Sequence, residues 1–516
     1  MDRQGETPPV LGARPSAADA VEFRVWAPNA SSVTLALDDA EHALVRDADG
    51  LFTIAVPARP GARYAYSLDG GRALPDPCSF SQPDGVLGRS EVVDHSRFRW
   101  TDERWEGVAL ADLVIYELHV GTFTDDGTFA AAIERLPELR ELGVTAVEVM
   151  PIATFPGDRG WGYDGLYTSA PHPVYGGPAG FARFVDAAHD AGLAVLLDVV
   201  YNHVGPGSEA VAAFGPYFTD RYETFWGGAI DYSQHWVRDY HVDGLRLDAT
   251  HAVFDTAQPH VLAELAERVR AVRPSTLVIS EMETGDVRPL HEWHHDAQWA
   301  DELHHAVHVL VTGEQEGYYE DYGTVADVGN EFSRANGAHL VVCAQNHDQV
   351  GNRAFGDRLH GDRLRLAAFC SILAPGIPLL FMGEEYDEEH PFQFFTDHID
   401  PEIAQATREG RRREFERFAA FAGEDVPDPQ SVETFLRSKL DRENDDPDHR
   451  RYYRALLALR RQLRPFPVEA VSADEEHRVL RVQRGPVELV MNFSGNPFEE
   501  VPPWTGIARG AEGLAG

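Results

Sequence analysis

Lysine is almost absent from this chain. Among 45 basic residues in 516, Lys439 is the only lysine, so the other 44 are arginines. Acidic residues number 84 and leave a formal net charge of −39. A surface this acidic disfavours nucleic acid and anionic membranes as partners, because both carry charge of the same sign. The composition therefore favours a soluble enzyme that acts on a neutral substrate.

Cysteine and long apolar runs are also scarce. Cys78, Cys343 and Cys370 are scattered without metal-ligand spacing, which predicts reduced thiols in the core. No apolar run approaches the length of about 20 residues that spans a bilayer. The stretch Met1–Pro15 is polar and lacks the apolar centre of a signal peptide. We therefore expect a cytoplasmic protein with no membrane partner.

Short alternating strands dominate residues 1–95, which we predict to be an N-terminal β-sandwich. Clusters of Gly, Pro, Asn and Asp separate the strands, as in antiparallel sheets. Leu74–Asp94, rich in Pro, Gly and Ser, is predicted to be a linker. The four predicted strands are Glu22–Trp26, Val33–Leu37, Leu51–Val56 and Tyr64–Leu68.

Residues 96–465 alternate between apolar strands and helical patterns, with helices at Phe129–Leu142, Phe181–Ala191 and Arg450–Leu463. This α/β alternation over such a length predicts a (β/α)8 TIM barrel. Residues 466–516 are predicted to form a short C-terminal β domain around a hairpin. The eight barrel strands are Leu113–Val120, Ala146–Pro151, Ala194–Val200, Gly244–Asp248, Leu277–Glu281, Ala297–Ala300, Leu340–Ala344 and Ile377–Gly383, and the hairpin strands are Arg478–Val482 and Val487–Met491.

Polar residues follow several of these strands. In a TIM barrel the carboxyl ends of the strands converge on one site. Carboxylates with His and Asn to grip hydroxyls, and aromatic faces for pyranose rings, describe a sugar site. The loop after the second strand adds Tyr163 and Asp164. The residues at or near the strand ends are His119, Asp198, Asn202, His203, Arg246, Asp248, His251, Glu281, His347 and Asp348.

Glycoside cleavage needs one carboxylate to attack and one carboxylic acid to protonate the leaving oxygen. Arg246 and Asp248 are two residues apart and therefore share a strand face, which keeps Asp248 ionised as a nucleophile requires. Glu281 ends an apolar strand and suits the acid, although Glu283 competes for this role if the strand continues. Asp348 would stabilise the developing oxocarbenium charge.

The strand-end motifs resemble, in order, the four signature regions of the α-amylase family of glycoside hydrolases. The regions are Asp198–His203, Gly244–His251, Glu281 and Asn346–Asp348. The resemblance implies a (β/α)8 barrel and retention of anomeric configuration. It also implies Asp248 as nucleophile, Glu281 as acid/base and Asp348 as transition-state stabiliser, in agreement with the assignment above.

Further stretches resemble the malto-oligosyltrehalose trehalohydrolase subfamily. The resemblance implies a glycogen-branching-type accessory module at the N-terminus and hydrolysis of the α-1,4 bond that joins a maltodextrin to its terminal trehalose. It also implies malto-oligosyltrehalose synthase as the pathway partner. The alternatives are a debranching or branching enzyme acting on α-1,6 linkages and an inactive glucan-binding barrel. The stretches are Glu117–Phe123, Pro156–Gly165, Pro216–Tyr222, Gln345–Arg353, Phe392–His398 and Arg408–Phe415.

One motif suggests a metal. His291–His295 matches the H-E-x-x-H zinc pattern, but Pro289 lies just upstream and leaves little room for the long helix that this pattern needs. In the family, the position of Asn202 often helps to hold a structural calcium ion. Here we favour a role in which Asn202 bridges loops over a role as a metal ligand. The sequence therefore predicts neither a metal nor a cofactor.

Overall fold

The N-terminal part of the chain forms two antiparallel sheets. The computed structural model describes residues 11–16, 20–215, 233–283, 285–415 and 426–514. The sheets have the orders β1-β2-β6-β5 and β4-β3-β7-β8, and β9 also pairs with β7. The strands within the described residues are β1 (Gly12–Pro15), β2 (Ala20–Trp26), β3 (Val33–Leu37), β4 (Ala40–Ala43), β5 (Val45–Arg46), β6 (Leu51–Pro57), β7 (Arg63–Leu68), β8 (Ala73–Leu74) and β9 (Ser90–Glu91).

All four predicted sandwich strands are present, and shorter ones accompany them. Strand β9 lies inside Leu74–Asp94 and pairs Ser90 with Tyr64, so the predicted linker contributes to the second sheet. The long strands form where buried and more exposed side chains alternate along the sequence. In β2 every second side chain, such as Phe23, is buried between the sheets.

A closed barrel of parallel strands follows. Its order, β10-β11-β14-β15-β16-β17-β18-β19, confirms the predicted (β/α)8 fold. A small antiparallel pair, β12 with β13, follows the second barrel strand. The strands of this part are β10 (Ile115–Leu118), β11 (Ala146–Val149), β12 (Ala153–Thr154), β13 (Tyr167–Pro171), β14 (Ala194–Val199), β15 (Gly244–Leu247), β16 (Leu277–Ser280), β17 (Ala297–Trp299), β18 (Leu340–Cys343) and β19 (Ile377–Phe381).

Helices surround the barrel. The predicted helix Phe129–Leu142 is split in two. Pro137 has no N–H to continue the hydrogen bonds of the first helix, and it lies instead in the first turn of the second, where the missing N–H costs nothing. The described α-helices are α1 (Val120–Phe123), α2 (Phe129–Ile133), α3 (Leu136–Leu142), α4 (Gly177–Asp190), α5 (Glu209–Ala212), α6 (Ser233–Tyr240), α7 (Val261–Val272), α8 (Arg288–His291), α9 (Glu302–Thr312), α10 (Val325–Phe332), α11 (His347–Gly351), α12 (Gly361–Leu373), α13 (Pro401–Phe415), α14 (Val432–Arg437) and α15 (Pro447–Leu463).

The barrel interior changes from apolar to charged along its axis. Side chains such as Ile115 and Ile279 fill the lower part, which Trp105 helps to close from below. Above them Glu117 on β10 is paired in register with Glu148 on β11, and both are buried. This switch in polarity places charged groups at the carboxyl ends of the strands, where barrel enzymes have their sites.

The sandwich core is completed by the barrel. Ala210, Val211 and Phe214, in and just after α5, belong to the same buried cluster as Tyr66 of β7. The rings of Phe214 and Tyr66 meet edge to face with centroids 6.1 Å apart. The loop after the third barrel strand therefore supplies part of the core of the N-terminal sheets.

A four-stranded antiparallel sheet ends the chain and packs on α10 and α12. The predicted hairpin forms its two middle strands. The domain boundaries 1–95, 96–465 and 466–516 stay predictions. Among the helices of the described ranges, none has the length and apolarity needed to cross a bilayer. The strands are β20 (Val468–Asp474), β21 (Val479–Arg484), β22 (Val487–Asn492) and β23 (Thr505–Arg509).

Candidate active site

Arg246 lies at the centre of the candidate site. Its side chain is fully buried, and its Nη1 donates to both carboxylate oxygens of Asp198 at 3.0 Å and to Oδ1 of Asp248 at 2.9 Å. Its Nη2 donates to Oε2 of Glu281 at 2.8 Å. Although burial opposes its charge, Asp198 and Glu281 raise the pKa of Arg246 well above its usual value. One guanidinium thus holds carboxylates from three neighbouring strands.

Asp248 is fixed from two sides. Besides the contact with Arg246, its Oδ2 accepts a hydrogen bond of 2.9 Å from Nδ2 of Asn202. The orientation of the Asn202 amide is set by His203, whose Nδ1 lies 2.7 Å from the amide oxygen. The Asp248 side chain keeps 13% of its surface exposed. An oriented, partly open carboxylate is the arrangement that a nucleophile requires.

The backbone after Asp248 has an unusual conformation. Ala249 lies in the left-handed region with φ of 39°, although it is not a glycine. This conformation directs its N–H to Oε2 of Glu281 at 2.8 Å. Left-handed backbone at a non-glycine residue costs about 1–2 kcal/mol and persists where the surroundings enforce it. The turn therefore couples the positions of Asp248 and Glu281.

Glu281 follows β16, and its side chain is 25% exposed. The strand ends at Ser280, so the alternation that would place Glu283 on the same face does not continue. Glu283 is exposed, and Met282 between the two is buried. The structure thus brings Glu281, and not Glu283, to the Arg246 guanidinium.

Asp348 joins the cluster through His347. Its Oδ1 lies 3.4 Å from Nε2 of His347 and accepts a hydrogen bond of 3.0 Å from Asn352. Nε2 of His347 also lies 2.8 Å from the Tyr163 hydroxyl, which donates to Asp198 at 2.5 Å. Burial raises the pKa of Asp198 to about 7, against the lowering effect of Arg246. A continuous set of contacts thus runs from Asp348 to the group around Arg246.

Three of the other predicted sugar contacts have different surroundings from the group around Arg246. His119 is buried, and its nitrogens lie about 3 Å from the Thr122 hydroxyl, the Gly160 carbonyl and the Tyr175 hydroxyl, so the protein already occupies both. Asp164 lies beside His398, with 3.7 Å between Oδ2 and Nδ1. His251 is exposed at the rim of the barrel.

Sequence reasoning missed two residues, one that ends the sixth barrel strand and one that follows it. The Trp299 ring lies under Arg246, with 4.4 Å from the guanidinium carbon to the ring centroid. Burial raises the pKa of Asp301 to about 7, and the nearby carboxylates of Asp348 and Glu281 add to this effect. The signal was available, because Asp301 directly follows the predicted strand Ala297–Ala300, as the other site residues follow theirs.

The zinc pattern at His291–His295 does not assemble a site. Helix α8 ends at His291, whose side chain is exposed, as is that of Glu292. His295 is buried, with Nδ1 2.6 Å from the hydroxyl of Ser280 and Nε2 bonded to the protein backbone. The two histidines therefore have different environments, as expected when no long helix forms.

Another group in the described ranges has metal-ligand geometry. One ligand atom each from His95, His235 and Asp239 lies within 4.8 Å of the others. Arg14 and Arg238 both contact the Asp239 carboxylate, at 3.1 Å and 2.9 Å. Two guanidiniums at the only carboxylate of the group oppose a bound cation. This cluster is better explained as part of the contact between the sandwich and α6.

Comparison with known proteins agrees with this geometry. A family model described as the catalytic domain of alpha amylase matches residues 95–227, and carbohydrate-binding module 48 (isoamylase N-terminal domain) matches residues 10–79. A malto-oligosyltrehalose trehalohydrolase from Deinococcus radiodurans is 44% identical over 503 residues, which cover 88% of this chain and 83% of the relative. The chain belongs to the malto-oligosyltrehalose trehalohydrolase family.

A second trehalohydrolase and a solved structure also resemble the chain over most of its length. The trehalohydrolase of Saccharolobus solfataricus is 42% identical, with 86% of each chain covered. A crystal structure of a putative alpha amylase from Salmonella typhimurium has a TM-score of 0.89 at 36% identity and covers 97% of this chain and 99% of its own. A 1,4-alpha-glucan branching enzyme from Bordetella parapertussis is only 28% identical over 74% of this chain. The resemblance to trehalohydrolases is confirmed, although its stretch Pro216–Tyr222 lies outside the described residues.

Proposed function

We propose that this chain hydrolyses the α-1,4-glucosidic bond next to the terminal trehalose of malto-oligosyltrehalose, releasing trehalose and a malto-oligosaccharide. Membership of the trehalohydrolase family carries the proposal. The carboxylates around Arg246 support it, because they provide the groups that glycoside hydrolysis needs within one set of contacts. A related α-glucan is the next candidate substrate.

The proposed chemistry is a two-step displacement. Asp248 attacks the anomeric carbon while Glu281 protonates the departing glycosidic oxygen, which forms a covalent glycosyl-enzyme. Glu281 then takes a proton from water as that water attacks the same carbon and displaces Asp248, whose bond to the sugar breaks to regenerate the free carboxylate, so the configuration is retained. Asp348 faces the oxocarbenium-like charge. The predicted separation between the Asp248 and Glu281 carboxyls is about 5–5.5 Å, the spacing of retaining enzymes.

The proposed sugar contacts come from the residues that surround these carboxylates. Tyr163 offers a ring face and stacks on His347 with centroids 5.1 Å apart. Asn202 and His203 fix the nucleophile, while Asp198 and Arg246 hold the framework below it. His251 and Asp164 stay proposed contacts at the rim. The occupied nitrogens of His119 suit a structural role between β10 and the loop of Gly160.

The proposed setting is the cytoplasm, with no metal or cofactor required. The substrate carries a trehalose end on a maltodextrin, so a malto-oligosyltrehalose synthase is the proposed supplier. The strongly acidic surface agrees with a neutral glucan as substrate.

The test is sugar analysis after incubation of the purified protein with malto-oligosyltrehalose and, separately, with glycogen. We expect free trehalose from the first and no new α-1,6 branches in the second. Asp248→Ala serves as the inactive control. Absence of trehalose, or formation of α-1,6 linkages, would refute the proposal in favour of a branching or debranching activity. Unchanged turnover by Asp248→Ala would remove the assigned nucleophile.

A further inference from the structure

Glu117 makes a two-point contact with His347 beneath the active site. Its Oε1 lies 2.5 Å from Nδ1 of the imidazole. Its Oε2 accepts a hydrogen bond of 2.9 Å from the backbone N–H of His347. Both side chains are at most 2% exposed. The two residues are 230 positions apart and join β10 to the start of α11. A carboxylate held at two points fixes both the ring and the backbone of His347.

The directions of the hydrogen bonds define the protonation of His347. Nδ1 donates to Glu117, because a carboxylate only accepts. Above about pH 7, where Asp198 is ionised, the Tyr163 hydroxyl donates to its carboxylate, so at 2.8 Å it accepts from Nε2 of His347. Asp348, 3.4 Å from Nε2, is a second acceptor on that side. Both ring nitrogens therefore carry protons, and the ring is an imidazolium.

We propose that Glu117 is a positioning residue that holds His347 as a cation directed at Tyr163 and Asp348. The proposal rests on the proposed function, because it concerns the same site. By holding His347 in place, Glu117 fixes the hydrogen bond that orients the Tyr163 ring. The imidazolium of His347 then balances the negative charge of Asp348. Outer groups that orient a histidine in this way typically account for 10–100-fold in activity or affinity at metal sites, and we expect a similar range here.

The electrostatics support the geometry. Burial disfavours the cationic form, and the nearby charge of Arg246 also lowers the pKa, but the carboxylates of Asp348 and Glu117 outweigh both and raise the pKa of His347 to about 10. With an amide at position 117, one of these two carboxylates is lost, and the pKa of His347 falls. The ring would then lose a proton at lower pH, and with it the hydrogen bond to Tyr163.

The chain provides a matched control in Glu148. This residue is level with Glu117 on the adjacent strand and equally buried, at 1% exposure. Within the described residues neither of its carboxylate oxygens has a hydrogen-bond partner. Burial raises its pKa well above the usual range, which favours the neutral acid that glutamine imitates. Replacement of Glu148 changes the same layer of the barrel without touching His347.

The experiment compares Glu117→Gln, Glu117→Asp and Glu148→Gln with the wild type from pH 5 to 10. For Glu117→Gln we expect kcat to fall about 10–100-fold at pH 8. The loss relative to the wild type should be smaller toward pH 5, where His347 is protonated even without Glu117. Glu117→Asp should lose kcat by a factor that changes little between pH 5 and pH 8, and Glu148→Gln should stay within about twofold of the wild type. A deficit of Glu117→Gln that does not shrink toward pH 5, or equal losses in Glu148→Gln, would overturn the proposal.

A second readout is independent of activity. The pKa of His347 is raised in the folded state, so its contribution to stability is present below about pH 6.5 and is lost as the pH rises through about 10. The melting temperature of Glu117→Gln should therefore differ most from the wild type near pH 6.5 and converge with it toward pH 10. Parallel curves would contradict the proposal. If the wild type released no trehalose but these curves converged, the proposed function would fail and the role of Glu117 would stand.

Discussion

Replacing Arg246 with methionine should destabilise the protein in a pH-dependent way. The substitution leaves the carboxylates of Asp198, Asp248 and Glu281 without the guanidinium that donates to all of them. Removing one partner of a buried ion pair costs about 3–5 kcal/mol. Loss of the contact with the Trp299 ring adds up to about 2 kcal/mol.

The sign of the pH effect follows from Asp198. Its pKa is raised to about 7 even with Arg246 present, and loss of the cation raises it further. A carboxyl with a raised pKa favours the folded state at low pH, and this benefit disappears as the pH rises through the folded-state pKa. The deficit of Arg246→Met should thus be largest at pH 8 and smaller at pH 5.

The assay is thermal or urea unfolding of the wild type, Arg246→Met and Arg246→Lys at pH 5 and pH 8. Lysine keeps the charge but lacks the planar fork that reaches several carboxylates, so it should recover only part of the loss. An Arg246→Met protein as stable as the wild type at pH 8 would refute the reasoning. So would a deficit that grows toward acidic pH.

Three further changes test other features. Glu281→Gln should lower kcat by about 10²–10⁴-fold while oligosaccharide binding, measured by calorimetry, stays close to that of the wild type. Phe214→Ala should cost about 3–5 kcal/mol of unfolding free energy in a denaturation assay, and a cost below about 1 kcal/mol would show that the barrel loop is dispensable to the sandwich core. Lys439→Met should lower stability by about 1–2 kcal/mol, and Lys439→Arg should not restore it fully, because the ammonium donates to three convergent carbonyl oxygens. These belong to Gly121, Thr124 and Asp125.

The architecture was predictable wherever local pattern decides it. All eight barrel strands were located from apolar runs, because strands covered on both faces are continuously hydrophobic. The sandwich strands Ala40–Ala43 and Val45–Arg46 were missed, since they are short and largely exposed and carry no hydrophobic alternation. Local pattern therefore finds the strands that build a core and misses those that only extend a sheet edge.

The site was predictable in part. The contact of Arg246 with Asp248 follows from two positions on one strand, whereas its contact with Asp198 depends on the register between strands. His119 was predicted as a sugar contact because it lies near the end of a predicted strand, and in the structure it is the residue before α1, with Nε2 at the Gly160 carbonyl. Contacts between distant strands, such as that of Glu117, leave no trace in local sequence.

The loop that carries Phe214 has a consequence for how such enzymes can diversify. Loops at the carboxyl ends of barrel strands usually vary freely, because the scaffold does not depend on them. Here one of them begins with the site residues Asn202 and His203 and continues into the core of the carbohydrate-binding module. Exchange of that module for another would have to preserve this loop, so the accessory unit and the catalytic chemistry are constrained to evolve together.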